Sequence, residues 1–584
     1  MKYWGNKMIE IHDELLLKEI ISFCESIKDE EELKRFRENN KELPFHPLDS
    51  DVKNQLDTLK KKGTVKRDGE KSIIELSYEM NGEIDKLWNM LIEKAIICLR
   101  YFDKREPFIE NGKQPYVYGL DSLEDYHKKY IDFEGVLYGS DAYYRDHVFH
   151  VIRVWLLGVY LLLNDNTYIT NGGKRLVDAI HFEGDSEMTV CCTDESEIDN
   201  NFLEKLNENS IFINKNGKSY KIHKDKTDGH NYVLTPSNSF SSEINILEKI
   251  SMWTLMALCH DLGYPLEKSK KILAKTENMM EAFVSQPKIN GDLRFDGTRD
   301  SNNKDIILFT SKKMKAVDDD GEIATYKASV QEKYKFKYML SLEAFAHGVI
   351  SSIIIYKKLN YFKETDNNSD ANYIFQEEDA RQFYIRRDIL RAMASHTCQD
   401  IYHIDVATFP MLLFVCDELQ EWGRKSWKSM YKGVTNNAVR LSIETFNSDK
   451  IEYEEEIDMS NAGNQQLVDN IERILSHQYM LYQTTFRDGQ YTARRKFDFK
   501  KHIHIKISEE YKSIKQIDID FSINHGSDDN MFLLSIRNSG NTDKGKKSKV
   551  KYLTESLSEL LKPYIENRKY GVCEMKDDRE EVKE

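Results

Sequence analysis

The sequence predicts a mainly α-helical protein with β-rich insertions and a C-terminal α+β domain, on three observations. Only 9 prolines and 27 glycines occur among 584 residues, well below average usage, which disfavours a turn-rich all-β chain. Apolar residues recur at helical spacing through most of the chain up to about residue 430. From about residue 437 they alternate instead, as in half-buried strands.

Residues 8–40 read as helical, with Ile11, Leu15, Leu16, Ile20, Ile21, Phe23 and Cys24 near helical spacing between charges. A second helix covers 81–102, where Ile84, Leu87, Leu91, Ala95 and Leu99 form a stripe. A third runs from about 144 to 163. Residues 166–240 change texture: Asn-Gly and Asp-Gly pairs punctuate short apolar runs such as MTVCC and SIFIN, the mark of inserted hairpins. Helices resume at Ser242, an N-cap candidate followed by Glu243, and again at 267–285. A second polar interruption, 286–330, contains GDLRFDGTRDSNN and VDDDGE. Helical segments follow at 338–360, 378–397 and 406–430. Beyond 437, VRLSIETF, HIHIKI, QIDIDFSI and MFLLSIRN read as strands, accompanied by amphipathic helices at 463–483 and 548–567. The expected layout is an N-terminal helical region (1–140), a core (141–436) carrying both insertions, an α+β accessory domain (437–570) and a charged, disordered tail (571–584).

A net charge of −15 disfavours general nucleic-acid binding, because phosphate affinity needs clustered Lys and Arg. The longest apolar run, VWLLGVYLLL, is about half of the ~20 residues a membrane span needs. The first residues, MKYWGNKMIEIHDELLLKEI, hold no signal-peptide core, and eight cysteines without a CxxC pair make no disulfide framework. A soluble, cytoplasmic protein without membrane partners is the expectation.

The chemistry sits where polar ligands interrupt apolar helices. WTLMALCHDLGYP ends in His260 and Asp261, and burying both is costly unless a cation offsets them. YYRDHVFHVIRVWLLGVYLL carries His150, SLEAFAHGVISSIIIYKKL carries His347, ILRAMASHTCQD carries His396, and FPMLLFVCDELQEWGR carries Asp417. A lone histidine on an apolar face is usually a satisfied core residue; a series of such positions in chain order is not readily explained that way. His147, three residues before His150, reads as a ligand or a substrate contact, and His403 as a ligand or a loop residue. Arg145, Arg153 and Arg424 are candidate phosphate clamps, against solvated helix-face arginines. Tyr264 reads as a base-stacking ring or a helix-end cap. His502 and His504 alternate on one strand face in KKHIHIKI and read as surface positions rather than a metal site. No P-loop, HExxH or GxSxG motif competes.

The ordered set resembles the HD-domain metal-dependent phosphohydrolase superfamily over about 143–430, with His150, His260, Asp261 and Asp417 matching its minimal pattern and His347 and His396 the added histidines of binuclear members. The superfamily includes cyclic-nucleotide phosphodiesterases, HD-GYP proteins and deoxynucleotide triphosphohydrolases. Tyr264 stands where many members have Lys or His, and no GYP segment follows downstream, so cyclic di-GMP is not indicated. The resemblance implies an HD-type helical bundle holding one or two divalent ions (Mn, Fe, Zn, Ni or Mg). It implies Asp261 bridging two ions, His150, His260 and Asp417 completing one, and His347 and His396 holding the other or, with a single ion, one of them acting as general acid. The implied activity is hydrolysis of a phosphoester or phosphoanhydride in a nucleotide-type substrate. The alternatives are an HD-type nuclease on single-stranded nucleic acid, or a nucleotide-sensing regulatory module without turnover. Homo-oligomers are common among such hydrolases.

Overall fold

The computed structural model describes residues 9–39, 43–68, 71–103, 117–140, 146–165, 175–182, 190–192, 211–215, 218–224, 232–236, 244–283, 301–317, 325–364, 373–398, 401, 407–424, 438–447, 450–459, 471–472, 474, 498–507, 514–523, 531–538 and 572–577. The described residues are mostly helical, with smaller sheets. A short strand, β1 (Ile9–Ile11), precedes α1 (Asp13–Ser26) and α2 (Glu31–Asn39), so the segment read as helical opens extended. Next come α3 (Ser50–Lys62), the hairpin β2 (Thr64–Asp68) and β3 (Lys71–Glu75), α4 (Asn81–Tyr101) and α5 (Leu120–Ser140).

The centre of the bundle is built from α6 (Val148–Leu163), the short α7 (Leu176–Ala179) and α8 (Ile246–Cys259). Both α6 and α8 are buried along their whole length. They are pinned together by indoles: Trp155 Nε1 donates to Thr254 Oγ1 at 2.9 Å, and Trp253 Nε1 donates to the Trp155 carbonyl at 3.1 Å. From α4, Trp88 Nε1 donates to the Leu258 carbonyl at 3.0 Å, fixing the end of α8. These buried rings contribute large apolar area while their one polar group stays satisfied. The cap of α8 is Asn245, in a reciprocal capping box with Glu248, rather than Ser242: the Asn245 side chain accepts the Glu248 N–H, and the Glu248 carboxylate accepts the Asn245 N–H.

Around this centre stand α9 (Tyr264–Phe283), α10 (Ser301–Thr310), α11 (Glu332–Glu343), α12 (His347–Lys358), α13 (Glu377–Ser395) and α14 (Phe409–Leu419). The single helix expected at 338–360 divides into α11 and α12. Phe345, at φ 60°, occupies a left-handed conformation that stops α11 and turns the chain so that His347 opens α12. Two glycines set the packing. A Cβ at Gly263 would lie 2.4 Å from the His347 carbonyl, and one at Gly348, in the first turn of α12, would lie 2.8 Å from His396 Cε1, so at both positions the backbone approaches closer than a side chain permits.

The polar interruption at 286–330 contributes α10 and a hairpin, β8 (Lys312–Val317) with β9 (Thr325–Val330), and the earlier insertion contributes β4 (Val190–Cys192), β5 (Ile211–Lys215), β6 (Lys218–Lys224) and β7 (Tyr232–Pro236) in the order β4-β7-β6-β5. The C-terminal strands are β10 (Ala438–Phe446), β11 (Lys450–Met459), β12 (Asp498–Ile507), β13 (Ile514–Ile523), β14 (Met531–Asn538) and β15 (Val572–Asp577). They form a seven-stranded sheet, β1-β10-β11-β12-β13-β14-β15, in which the β11–β12 and β14–β15 pairs are parallel. Two segments join it from unexpected places. Ile9 and Ile11 pair with Ile443 and Leu441, and the segment read as a disordered tail supplies the edge strand β15. The core is continuous: Leu441, Ile443, Phe446, Ile451, Tyr453 and Phe499 cluster with the helical residues. The helices expected at 463–483 and 548–567 lie outside the described residues, apart from positions near 471.

Among the described residues no single helix is long and apolar enough to cross a membrane; one apolar pair, α11 with α12, bends by 98° at its break.

Candidate metal centre

Helix ends deliver the expected ligands to one place. His150 lies in the first turn of α6, His260 caps α8 with Asp261 next to it, His347 begins α12, His396 caps α13, and Asp417 lies in the last turns of α14. Three overlapping triplets, His150–His260–Asp261, His260–His396–Asp417 and Asp261–His347–His396, each offer ligand atoms within 4.8 Å of one another. These buried groups can hold a metal ion.

Asp261 is the pivot. Its Oδ2 faces His150 Nε2 at 3.7 Å and His260 Nε2 at 3.5 Å, while its Oδ1 faces His347 Nε2 at 3.1 Å and His396 Nε2 at 3.9 Å. Asp417 Oδ1 stands beside the first pair, 2.9 Å from His150 Nε2 and 3.7 Å from His260 Nε2.

Each histidine is held from behind through Nδ1, and all four partners are oxygen acceptors. His150 Nδ1 donates to Gln420 Oε1 at 2.5 Å, His260 to the Ala257 carbonyl at 2.9 Å, His347 to Glu267 Oε2 at 2.6 Å, and His396 to the Met393 carbonyl at 2.6 Å. A neutral imidazole that donates through Nδ1 presents a lone pair at Nε2. That is the tautomer a metal requires, and oxygen partners of this kind raise ligand basicity. Nε2 of His260 and of His396 are buried without a hydrogen-bond partner among the described residues. A buried polar atom left so is costly, and a cation between the rings would satisfy it.

The charges point the same way. Burial would raise the pKa of Asp261, but His260, His347 and His396 hold it well below the usual carboxylate range. Asp417, likewise opposed by burial, is held well down by the neighbouring His150 and His260. Burial and the nearby Arg424 push His150 down to about 4. His347 goes the other way: burial would lower it, but Asp261 and Glu267 carry it up to about 10. Glu267 is held down to about 2, against burial, chiefly by His347. The centre therefore holds two ionised carboxylates in a water-poor setting, their charge offset by the histidines around them. Side chains of Asp417 and His347 are 33% and 16% exposed, which locates the opening on their side.

The other expected site residues are distributed unevenly. His147 is the N-cap of α6; its backbone N–H donates to Glu134 Oε1 at 2.7 Å, and its ring lies 4.0 Å from that of Tyr264. It belongs to none of the ligand triplets. Tyr264 opens α9, 5.2 Å from the His347 ring, with the Lys268 ammonium 4.5 Å from its own ring centre. Arg424 lies close enough to depress His147 and His150, and its Nε is buried without a hydrogen-bond partner among the described residues. Arg145 and His403 lie outside the described residues. Arg153 is neither a phosphate clamp nor a solvated arginine: it is buried, with Nε and Nη2 on Asp13 at 2.9 and 2.8 Å. Pointing one turn along α6 from His150, it faces the N-terminal helix instead of the centre.

Sequence reasoning missed Glu267, Gln420 and Tyr130. Glu267, in the first turn of α9, had a local signal as the first acid after HDLGYP. Gln420 had none, since its partner lies 270 residues away. Tyr130 brings a buried hydroxyl from α5 toward the same region; burial and then the charge of Asp261 push it well above its ordinary pKa.

Neither a family model, nor a curated protein, nor a solved structure matches this chain, so the centre stands on its own geometry.

Proposed function

We propose that the chain is a metal-dependent phosphohydrolase of the HD superfamily, acting on a phosphoester or phosphoanhydride in a nucleotide or signalling nucleotide. The observation that carries this reading is the placement of Asp261, with each oxygen turned to a different histidine pair. His150, His260, Asp261 and Asp417 would hold one divalent ion, and Asp261, His347 and His396 a second. A nitrogen and oxygen donor set of this kind suits Mn, Fe, Zn, Ni or Mg. Bound there, the ions would supply Lewis acidity and a hydroxide nucleophile near neutral pH. The remaining residues bind and orient. Arg424, near enough to His147 and His150 to act on their charge, would meet phosphate oxygens, as guanidinium geometry favours. His147 and Tyr264 flank the His347 side, where an aromatic face can carry a base.

The test is hydrolysis of a nucleotide panel by the full-length chain loaded with Mn²⁺, read by phosphate release and chromatography. Turnover of one nucleotide class, abolished by chelation and restored by the ion, is expected. Failure to hydrolyse any member contradicts the reading. Tight nucleotide binding without turnover would replace it with a sensor, and shortened single-stranded oligonucleotides with steep salt dependence would replace it with a nuclease.

A further inference from the structure

The helix that carries Asp417 is fastened to the seven-stranded sheet. Lys501, on β12, donates through Nζ to Glu418 Oε1 at 2.8 Å and meets Glu455 Oε1 at 3.1 Å. Its ammonium also lies 5.4 Å from the centre of the Tyr453 ring. The side chains of Lys501 and Glu418 are 3% and 7% exposed, so this cluster sits in the seam between sheet and bundle. A buried ion pair is strongly destabilised when one partner is lost, because a charge is then left uncompensated; it therefore holds its two elements in one arrangement. Two residues beyond Glu418, Gln420 accepts from His150 Nδ1 at 2.5 Å and donates through Nε2 to the Trp422 carbonyl at 2.7 Å.

Asp417 is thus followed at once by an anchor to the sheet, and shortly after by an anchor to its fellow ligand His150. The other half of the centre is held differently. His347 is oriented by Glu267, His396 by the Met393 carbonyl, and the turn after Asp261 by the Gly263 N–H on Ser351 Oγ at 2.8 Å. All of these are contacts within the bundle.

We infer that the accessory sheet, through Lys501 and Glu418, positions Asp417 and sets the affinity of the ion held by His150, His260, Asp261 and Asp417, leaving the set of Asp261, His347 and His396 unaffected. Lys501 is a positioning residue, since it acts on the ion only through the helix it grips. The inference rests on the metal-centre reading and adds to it that the two ions are loaded under separate control. Any change that shifts β12 against α14 alters one ion and spares the other.

The test is titration of the full-length chain with Mn²⁺ alone, followed by calorimetry and by electron paramagnetic resonance of the free ion. Wild type is compared with Lys501→Met and with Glu418→Gln, the second keeping both side-chain shape and the Lys501–Glu455 contact in case the first fails to fold. Two sites are expected in the wild type. In both variants one site should weaken about 10–100-fold, as loss of a group that orients ligands does, while the other keeps its affinity. Arg381→Met breaks the buried Arg381–Glu248 pair, 2.5 Å across, at the end of α13 remote from His396; it should lower stability and move neither affinity. Unchanged affinities in Lys501→Met and Glu418→Gln would overturn the inference, and so would equal weakening of both sites. A wild-type chain that binds no Mn²⁺ would instead overturn the metal-centre reading, so the two failures are distinct.

Discussion

The histidines and carboxylates of the bundle centre and those of the C-terminal sheet differ in what each ring nitrogen meets. In the bundle, His150, His260, His347 and His396 each give Nδ1 to an oxygen acceptor and turn Nε2 toward Asp261 or Asp417. On the sheet, His504 meets Asp518 through Nδ1 at 2.6 Å and Glu454 through Nε2 at 3.3 Å, while His502 Nε2 meets Glu452 at 3.2 Å. His504 is bracketed by two carboxylates, as His347 is by Glu267 and Asp261; what sets the bundle apart is that four rings converge on one carboxylate, Asp261. Alternating histidines on a strand therefore make cross-strand ion pairs. Four rings converging on one carboxylate, each held from behind, can hold a metal ion.

Four substitutions can break or sharpen this contrast. Asp261→Ala removes the one carboxylate shared by both ligand sets, and turnover should fall by about 10³-fold or more, since several kcal/mol of charge stabilisation vanish with it. Steady-state kinetics on the preferred nucleotide check this. Arg153→Met leaves Asp13 buried and uncompensated, so urea unfolding should show a loss of about 3–5 kcal/mol with the metal count unchanged. Preserved stability combined with a raised KM would restore Arg153 as a phosphate clamp. Glu267→Gln keeps an acceptor for His347 but removes its charge, and should weaken binding of one ion about 10-fold, measured by competition with a chelating dye. On the sheet, His504→Ala takes a partner from the buried Asp518 and should lower unfolding free energy by about 1–3 kcal/mol while leaving metal content intact. Loss of an ion in that variant would erase the distinction between the two clusters.

The gathering of six side chains was legible in the sequence because each one interrupts an apolar helix near its end, and such interruptions are local. What orients them was not. Gln420 and His150 meet across 270 positions, and Lys501 reaches Glu418 across 83. The direction in which Arg153 points depends on Asp13, at the other side of the bundle, and periodicity does not report it. The break at Phe345 went unseen because apolar spacing continues through it. Ile9–Ile11 was absorbed into a helical pattern because a three-residue strand is too short to display alternation, and β15 was hidden by the charges around it. The capping box at Asn245 needed Glu248 to be weighed against Glu243, three residues from the better cap.

The central claim is that Asp261 joins two ion sites in the bundle. Elemental analysis of the purified chain after incubation with Mn²⁺ and removal of free ion measures it directly, with Asp261→Ala and His504→Ala in parallel. The account predicts up to two ions per chain in the wild type and in His504→Ala, and none retained in Asp261→Ala. Wild-type metal content in Asp261→Ala, or a wild type that retains none, would contradict it.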